Sequence, residues 1–260
     1  MPANNSDPLL PFGRTSVSTD DLRSHIDTET AVNLLERETG TSAGDRVSEF
    51  IDHLPALLSW LADNGRKYPW RLTQDPWRVY ISEILLQRTR ADAVAGIYDD
   101  FFREYPDPGA IRQSSEQEIK QLVKPLGFGN QRTRTLQDVA QVLGTDHDDR
   151  VPESLEELQR PWRVGPYSAR ATMIFAFDIP VALVDTNVAR VTERVFDFEM
   201  PSQPHKSEPV YRLLDALVPN EPALCRATNL ALLDLADAIC TPDSPDCPSC
   251  PLGPACVYWR

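Results

Sequence analysis

Four of the five cysteines stand together at the end of the chain, as Cys240, Cys247, Cys250 and Cys256, in the pattern C-x6-C-x2-C-x5-C. The stretches between them (TPDSPD, PS, PLGPA) are built of turn residues, so four thiols can converge on one centre without a large fold around them. A disulfide framework fits poorly, because the N-terminus MPANNSDPLL has no basic segment followed by an apolar stretch and the chain reads as cytoplasmic. Structural zinc uses four-cysteine sites containing C-x2-C. A [4Fe-4S] cluster also takes four thiolates. Spacing alone leaves those two open. Cys225, outside the pattern on a helical stretch, reads as a small buried hydrophobe.

The chain leading to those cysteines is patterned for helices. From Val47 on, apolar residues recur at helical spacing with breaks at Pro, Gly and Asp, and Phe50, Leu54, Leu57, Leu58 and Leu61 form one stripe. Asp75-Pro76 is an N-cap followed by Pro at the first helical position, opening a helix over WRVYISEILLQRT. Further helices are predicted at about 91–105, 115–124, 130–143, 153–159, 166–177, 186–196, 207–217 and 221–239. Strand alternation is nearly absent, so the fold class is all-α. Residues 1–45, rich in Pro, Ser, Thr and acids, are expected to be a flexible acidic extension, with short helical turns at most near Leu22, Ile26 and 31–35. No stretch approaches the roughly 18 consecutive apolar residues of a membrane span.

Net charge is −13, from 26 basic and 39 acidic residues, which is an unusual balance for a protein whose partner is nucleic acid. The kind of base matters as much as the sum. Lys67, Lys120, Lys124 and Lys206 are the lysines, and every other basic residue is Arg. Acid excess with so little Lys suits a halophilic solvent, where acidic surfaces keep proteins dispersed. Arg then remains the residue for phosphate or guanine, through its bidentate fork.

The cysteine loop directly follows a helix (NLALLDLADAIC) and resembles the iron–sulfur loop of the endonuclease III and MutY branch of DNA glycosylases. YPWR (68–71), DPWRVYISEILLQRT (75–89), the Val-Gly and helix at 164–177, and VDTNVARV (184–191) follow in that superfamily's order. The chain is therefore similar to the helix–hairpin–helix glycosylases over roughly 68–256. The resemblance implies two helical lobes: a six-helix barrel at 75–180 with a hairpin at 160–166, and a cluster lobe from 46–74 and 181–260. It further implies a [4Fe-4S] cluster on the four cysteines, a monomer, and mismatched double-stranded DNA lying in the groove between the lobes.

Members of this superfamily flip a nucleotide and hydrolyse its N-glycosidic bond. Asp185 matches the catalytic Asp, whose carboxylate stabilises the oxocarbenium-like transition state, and it sits at an N-cap, where first-turn amides hold a carboxylate ionised. Glu83, between Ile81 and Ile84 on an otherwise apolar helix, is costly there unless it faces a polar site. It matches the general acid/base Glu of MutY-like enzymes. Tyr167 stands where lyase-competent relatives carry a Schiff-base Lys and MutY carries Ser, so no amine is available for β-lyase chemistry. Tyr at this place is similar to the Mig type of thymine mismatch glycosylase, as are IYDDFF, GFGNQR and the Cys225-Arg226 pair.

The hairpin usually reads L-P-G-V-G; here Trp162-Arg163-Val164-Gly165 keeps the second Gly and puts Arg163 in place of the first. Arg163, Val164 and Gly165 are the expected hairpin contacts to phosphate, and Gln87 is expected to fill the gap left by the flipped base. Arg88, Arg90, Arg132 and Arg134 are candidates for phosphate or the widowed guanine. The chain ends four residues past Cys256, without the MutY domain that reads 8-oxoguanine. The expectation is a monofunctional glycosylase for T or U opposite G. The alternatives are adenine opposite G or 8-oxoguanine, and a non-catalytic iron–sulfur DNA-binding sensor.

Overall fold

The computed structural model describes residues 12–260, and among them there is no strand. The helices divide into two units, one running through Arg66 and resuming at Asp178–Arg260, the other spanning Lys67–Phe177. No helix of the described residues is long and apolar enough to cross a membrane.

The first unit holds α1 (Thr19–Ser24), α2 (Thr28–Thr39) and α3 (Gly44–Asn64). Residues 12–45 are not the flexible extension that composition suggested, and the part before Phe12 lies outside the described residues. Ser18 caps α1 through Asp21 N, Asp27 caps α2 through Thr30 N, and Gly40 closes α2 in the left-handed conformation. Leu22, Ala31 and Leu35 are fully buried, α1 packs on α3, and Arg23 ties to Ser48 and Asp52 of α3 at 2.8 and 2.6 Å. Short capped helices with one or two apolar positions per turn hide well in acid-rich sequence.

In the Lys67–Phe177 unit, α4 (Pro76–Leu85), α5 (Ala91–Ala95), α6 (Tyr98–Glu104), α7 (Pro108–Gln113), α8 (Glu116–Val123), α9 (Gly129–Asp146), α10 (Leu155–Leu158) and α11 (Pro166–Phe177) follow one another. Asp75 caps α4 by accepting from Arg78 N at 2.8 Å, with Pro76 at its first position. α4 is buried on nearly every side, against α11 and α9. Its core mates include Phe101, Tyr105, Leu136 and Leu158, and Tyr80 donates to the Leu158 carbonyl at 2.6 Å. From Val79 to Leu85 every residue of the helix is buried, so Ser82 and Glu83 are carried inside.

The first unit resumes with α12 (Thr186–Phe196), α13 (Glu208–Leu217) and α14 (Pro222–Ala238). α14 packs on α3 and α12, and α13 on α2. Cys225 is fully buried on α14, as a small hydrophobe.

Candidate active site and cysteine loop

Glu83 is 5% exposed in the middle of α4. Burial pushes its carboxyl up to about 7, and the nearby charge of Arg71 opposes that rise. Arg71 is itself buried, on the turn Pro69–Arg71 within the YPWR motif. A carboxyl poised near neutrality can give up or take a proton at working pH.

Where α4 ends, three non-glycine residues adopt left-handed backbone around one shallow pocket: Arg88 (φ 56°), Phe128 (φ 51°) and Arg163 (φ 64°). Such conformations cost energy and concentrate at functional sites. Gln87 lines the same pocket, its amide donating to the Arg163 carbonyl and to Ser168 Oγ, each at 3.2 Å. Phe128 is half exposed, a large apolar ring in solvent beside it. Arg132 is not a DNA contact. It is buried, and its guanidinium donates to the carbonyls of Ile84, Leu85 and Gln87 and to Thr89 Oγ1, at 2.9, 2.9, 3.2 and 2.6 Å. It satisfies the orphan carbonyls at the end of α4, and burial lowers its pKa to about 10. Arg90 is 89% exposed and sits 3.9 Å from Asp92.

The hairpin keeps its left-handed residue, with Arg163 adopting the conformation that a glycine would take freely. Val164 anchors the hairpin in the core: its side chain is buried and its N–H donates to the Pro161 carbonyl at 3.2 Å. Gly165 does not use positive φ, but a Cβ built there would meet no atom within 4 Å, so its face is open to close approach. Tyr167 is half-buried in the first turn of α11. Its neighbour Ser168 is buried and bridges Gln87 to the Glu83 carbonyl, the latter at 3.5 Å.

In the other unit, Asp185 is the N-cap of α12. One carboxylate oxygen accepts from Asn187 N and Val188 N at 2.9 and 2.7 Å, the other from Asn187 Nδ2 at 3.1 Å. Asn187 Oδ1 accepts from Arg190 at 3.1 Å, and Arg190 Nε donates to the Cys240 carbonyl at 2.9 Å. The catalytic candidate is thus tied by two side chains to the cysteine loop. The segment entering the cap is pinned as well, with Ala182 N on Asp215, Leu183 N on Asn229 Oδ1, and Asn229 Nδ2 on the Val181 carbonyl.

None of Cys240, Cys247, Cys250 and Cys256 is paired in a disulfide. Two short turns, Cys247–Ser249 and Gly253–Ala255, fold the loop back on itself. Arg194 fixes its rim, donating to Cys240 Sγ at 3.3 Å and to the carbonyls of Thr241 and Pro242. Burial raises the Cys250 thiol to about 11, and the charges of Cys240, Cys256 and Cys247 add to the rise. The four sulfurs therefore feel one another in a half-buried site where bare thiolates are disfavoured, and a cationic metal core would relieve both penalties. That donor set fits the implied cluster. Among the described residues no group of three or more His, Cys, Asp or Glu side chains is already gathered to hold a single metal ion.

The family model for HhH-GPD superfamily base excision DNA repair proteins matches residues 81–217. A thymine-DNA glycosylase of Aeropyrum pernix is 35% identical, over 78% of this chain and 92% of the relative. The chain belongs to the HhH-GPD superfamily. An adenine DNA glycosylase of Mycobacterium tuberculosis is 35% identical over 71% of this chain and 60% of that relative. The solved structure of a thermostable thymine-DNA glycosylase superposes with a TM-score of 0.75 at 32% identity, covering 84% of this chain and 98% of that one. Within this HhH-GPD fold, one unit gathers Glu83, Gln87, Arg88, Arg163 and Tyr167, and the other carries Asp185 and the cysteines. Sequence inspection missed Arg71, Ser168 and Phe128 as site residues. YPWR marked Arg71 as a motif without giving it a task, and an exposed Phe leaves no mark in a hydropathy pattern.

Proposed function

We propose that this chain is a monofunctional DNA glycosylase that removes T or U mispaired with G in base-excision repair. The observation that carries this is Glu83, a buried carboxyl poised at about 7 on α4, in a superfamily member whose relatives include a thymine-DNA glycosylase. Asp185, held by three donors, supplies the fixed negative charge that an oxocarbenium-like sugar requires. Glu83 supplies the proton or hydrogen bond to the departing pyrimidine. Two carboxyl groups in unlike environments thereby take unlike roles, one neutral acid and one charged stabiliser. No lysine lies between Lys124 and Lys206, so the α11 start offers Tyr167 and no amine for a Schiff base. Tyr167, beside Ser168, lines the base pocket in this account and favours a pyrimidine.

Gln87 and Phe128 occupy the space vacated by the flipped base, Phe128 as a wedge between base steps. The substrate is double-stranded DNA bearing the mismatch, bound by a monomer. Cys240, Cys247, Cys250 and Cys256 hold a [4Fe-4S] cluster, which when bound cross-links the loop that Arg190 and Asn187 connect to Asp185. Iron analysis and visible absorbance of purified protein check this: a brown, iron-containing protein is expected, and a colourless zinc protein would overturn it. Asp185→Asn tests the enzyme against a mere binder. It is expected to lose about 100-fold or more in single-turnover excision while keeping its affinity for a T·G duplex. Retained turnover would refute the role of Asp185.

A further inference from the structure

The chain carries its acid unevenly: the Lys67–Phe177 unit has 15 basic and 16 acidic residues, and the other unit 11 and 23. Even in the balanced unit, many arginines are neutralised locally. Arg103, Arg112 and Arg160 lie on carboxylates at 2.5 to 2.8 Å. Arg88, Arg134 and Arg163 do not. All three are exposed, and among the described residues no carboxylate lies at ion-pair distance from any of them. Each is held on an aromatic face instead. The Arg88 guanidinium carbon sits 4.6 Å from the Phe128 centroid, and those of Arg134 and Arg163 sit 4.2 and 5.3 Å from the Trp162 ring. Trp162 is itself anchored, its backbone N–H donating to Asp138 at 2.6 Å.

We propose that Arg88, Arg134 and Arg163 form a track for the phosphodiester backbone of DNA, kept in position by Phe128 and Trp162. This rests on DNA being the substrate; it adds Trp162 to the binding surface and gives Arg88, Arg134 and Arg163 one shared task set by the aromatic faces that hold them. An aromatic face orders a long side chain without cancelling its charge, whereas a carboxylate partner does both. Two guanidiniums on one indole repel each other, and a phosphate between or beside them offsets that repulsion. Arg88 and Arg163 line the pocket at Gln87, so the track is continuous with the place where the base leaves the stack. Ordered guanidiniums also suit strong salt, where the gain from releasing counterions is small and the entropy of fixing side chains weighs more.

The test is the dissociation constant of the full chain for a fluorescent duplex, with and without a T·G pair, across a potassium chloride series. Arg134→Gln is expected to weaken binding of both duplexes about tenfold and to reduce the slope of log Kd against log salt by about 0.9. Arg134→Lys restores the slope but not the full affinity. Trp162→Phe and Trp162→Leu keep the slope, because charge is unchanged, and lose affinity according to how much ring face remains. Arg103→Gln, the same change of net charge at an ion-paired position, is expected to leave the slope alone. Unchanged Kd and slope for Arg134→Gln, or an equal effect of Arg103→Gln, overturns the track. If no mispaired base is excised while these slopes still shift, the glycosylase account fails and the track stands. If excision proceeds and the slopes do not move, the track alone fails.

Discussion

Glu83 shows how one residue's cost can be the source of its use. Its folded pKa of about 7 against an ordinary 4.5 means that the fold prefers the proton. The stability tied to that proton is present in full below the ordinary value and is lost as pH rises through about 7, a swing of about 3 kcal/mol at most. Glu83→Gln is therefore expected to melt higher than the parent at pH 8 and to lose that advantage below about pH 5, as thermal unfolding across pH would show. The same titration governs chemistry. As an acid, Glu83 gives an excision rate that falls as pH climbs through about 7, and the Gln variant lacks that limb. A parent rate that rises over that range would reassign Glu83 as a base. The unusual placement of Glu83 was legible in the sequence because a carboxylate among isoleucines has a burial cost, and the fold does bury it. Arg132 was misread for the converse reason. An Arg one step from GFGNQ looks like a surface cation, and only the fold shows four acceptors at the end of α4 waiting for it.

At the scale of elements, α4 and its terminus are one device. The helix carries Glu83, ends in carbonyls held by Arg132, and hands Gln87 to the hairpin through Arg163 and Ser168. Arg132→Leu leaves the Leu85 carbonyl buried without a donor, while those of Ile84 and Gln87 keep the Gln87 N–H and the Thr89 hydroxyl, and it is expected to destabilise the protein by about 1–3 kcal/mol, read by urea unfolding. A change under 1 kcal/mol would show that water replaces the guanidinium. The helices from α3 onward were largely legible, because caps such as Asp75-Pro76 and long apolar stripes declare themselves locally. Two shortfalls have a physical cause. α7 has six residues, with Pro108 and Ile111 as its buried positions, too few for a periodic signal. α1 and α2 lie in acid-rich sequence, where composition outweighs a stripe of Leu22, Ala31 and Leu35. Leu35→Ala is expected to cost about 2–5 kcal/mol, as a core position would; a neutral result would return this segment to the status of an appendage.

For the whole molecule, the charge is divided unevenly between the two units. The acid excess belongs almost entirely to the unit that carries the cysteine loop, while the unit with Glu83 and the hairpin is close to neutral. Like-charge repulsion in the acidic unit should be screened by salt, so the melting temperature is expected to rise with potassium chloride; a flat or falling profile would contradict that origin. Family membership was legible from motif order, since VDTNVARV and the cysteine spacing are local. The choice of base was not, because motif order does not show which side chains a base would meet.

The measurement that bears most directly on the central claim is cleavage of labelled duplexes carrying T·G, U·G, A·G and A·8-oxoguanine, in high potassium chloride, with and without alkali. Strand breaks on T·G and U·G that appear after alkali treatment alone are the predicted result. Preference for A·G or A·8-oxoguanine would contradict the pyrimidine assignment and reduce Tyr167 to packing, and breaks without alkali would contradict the absence of lyase chemistry.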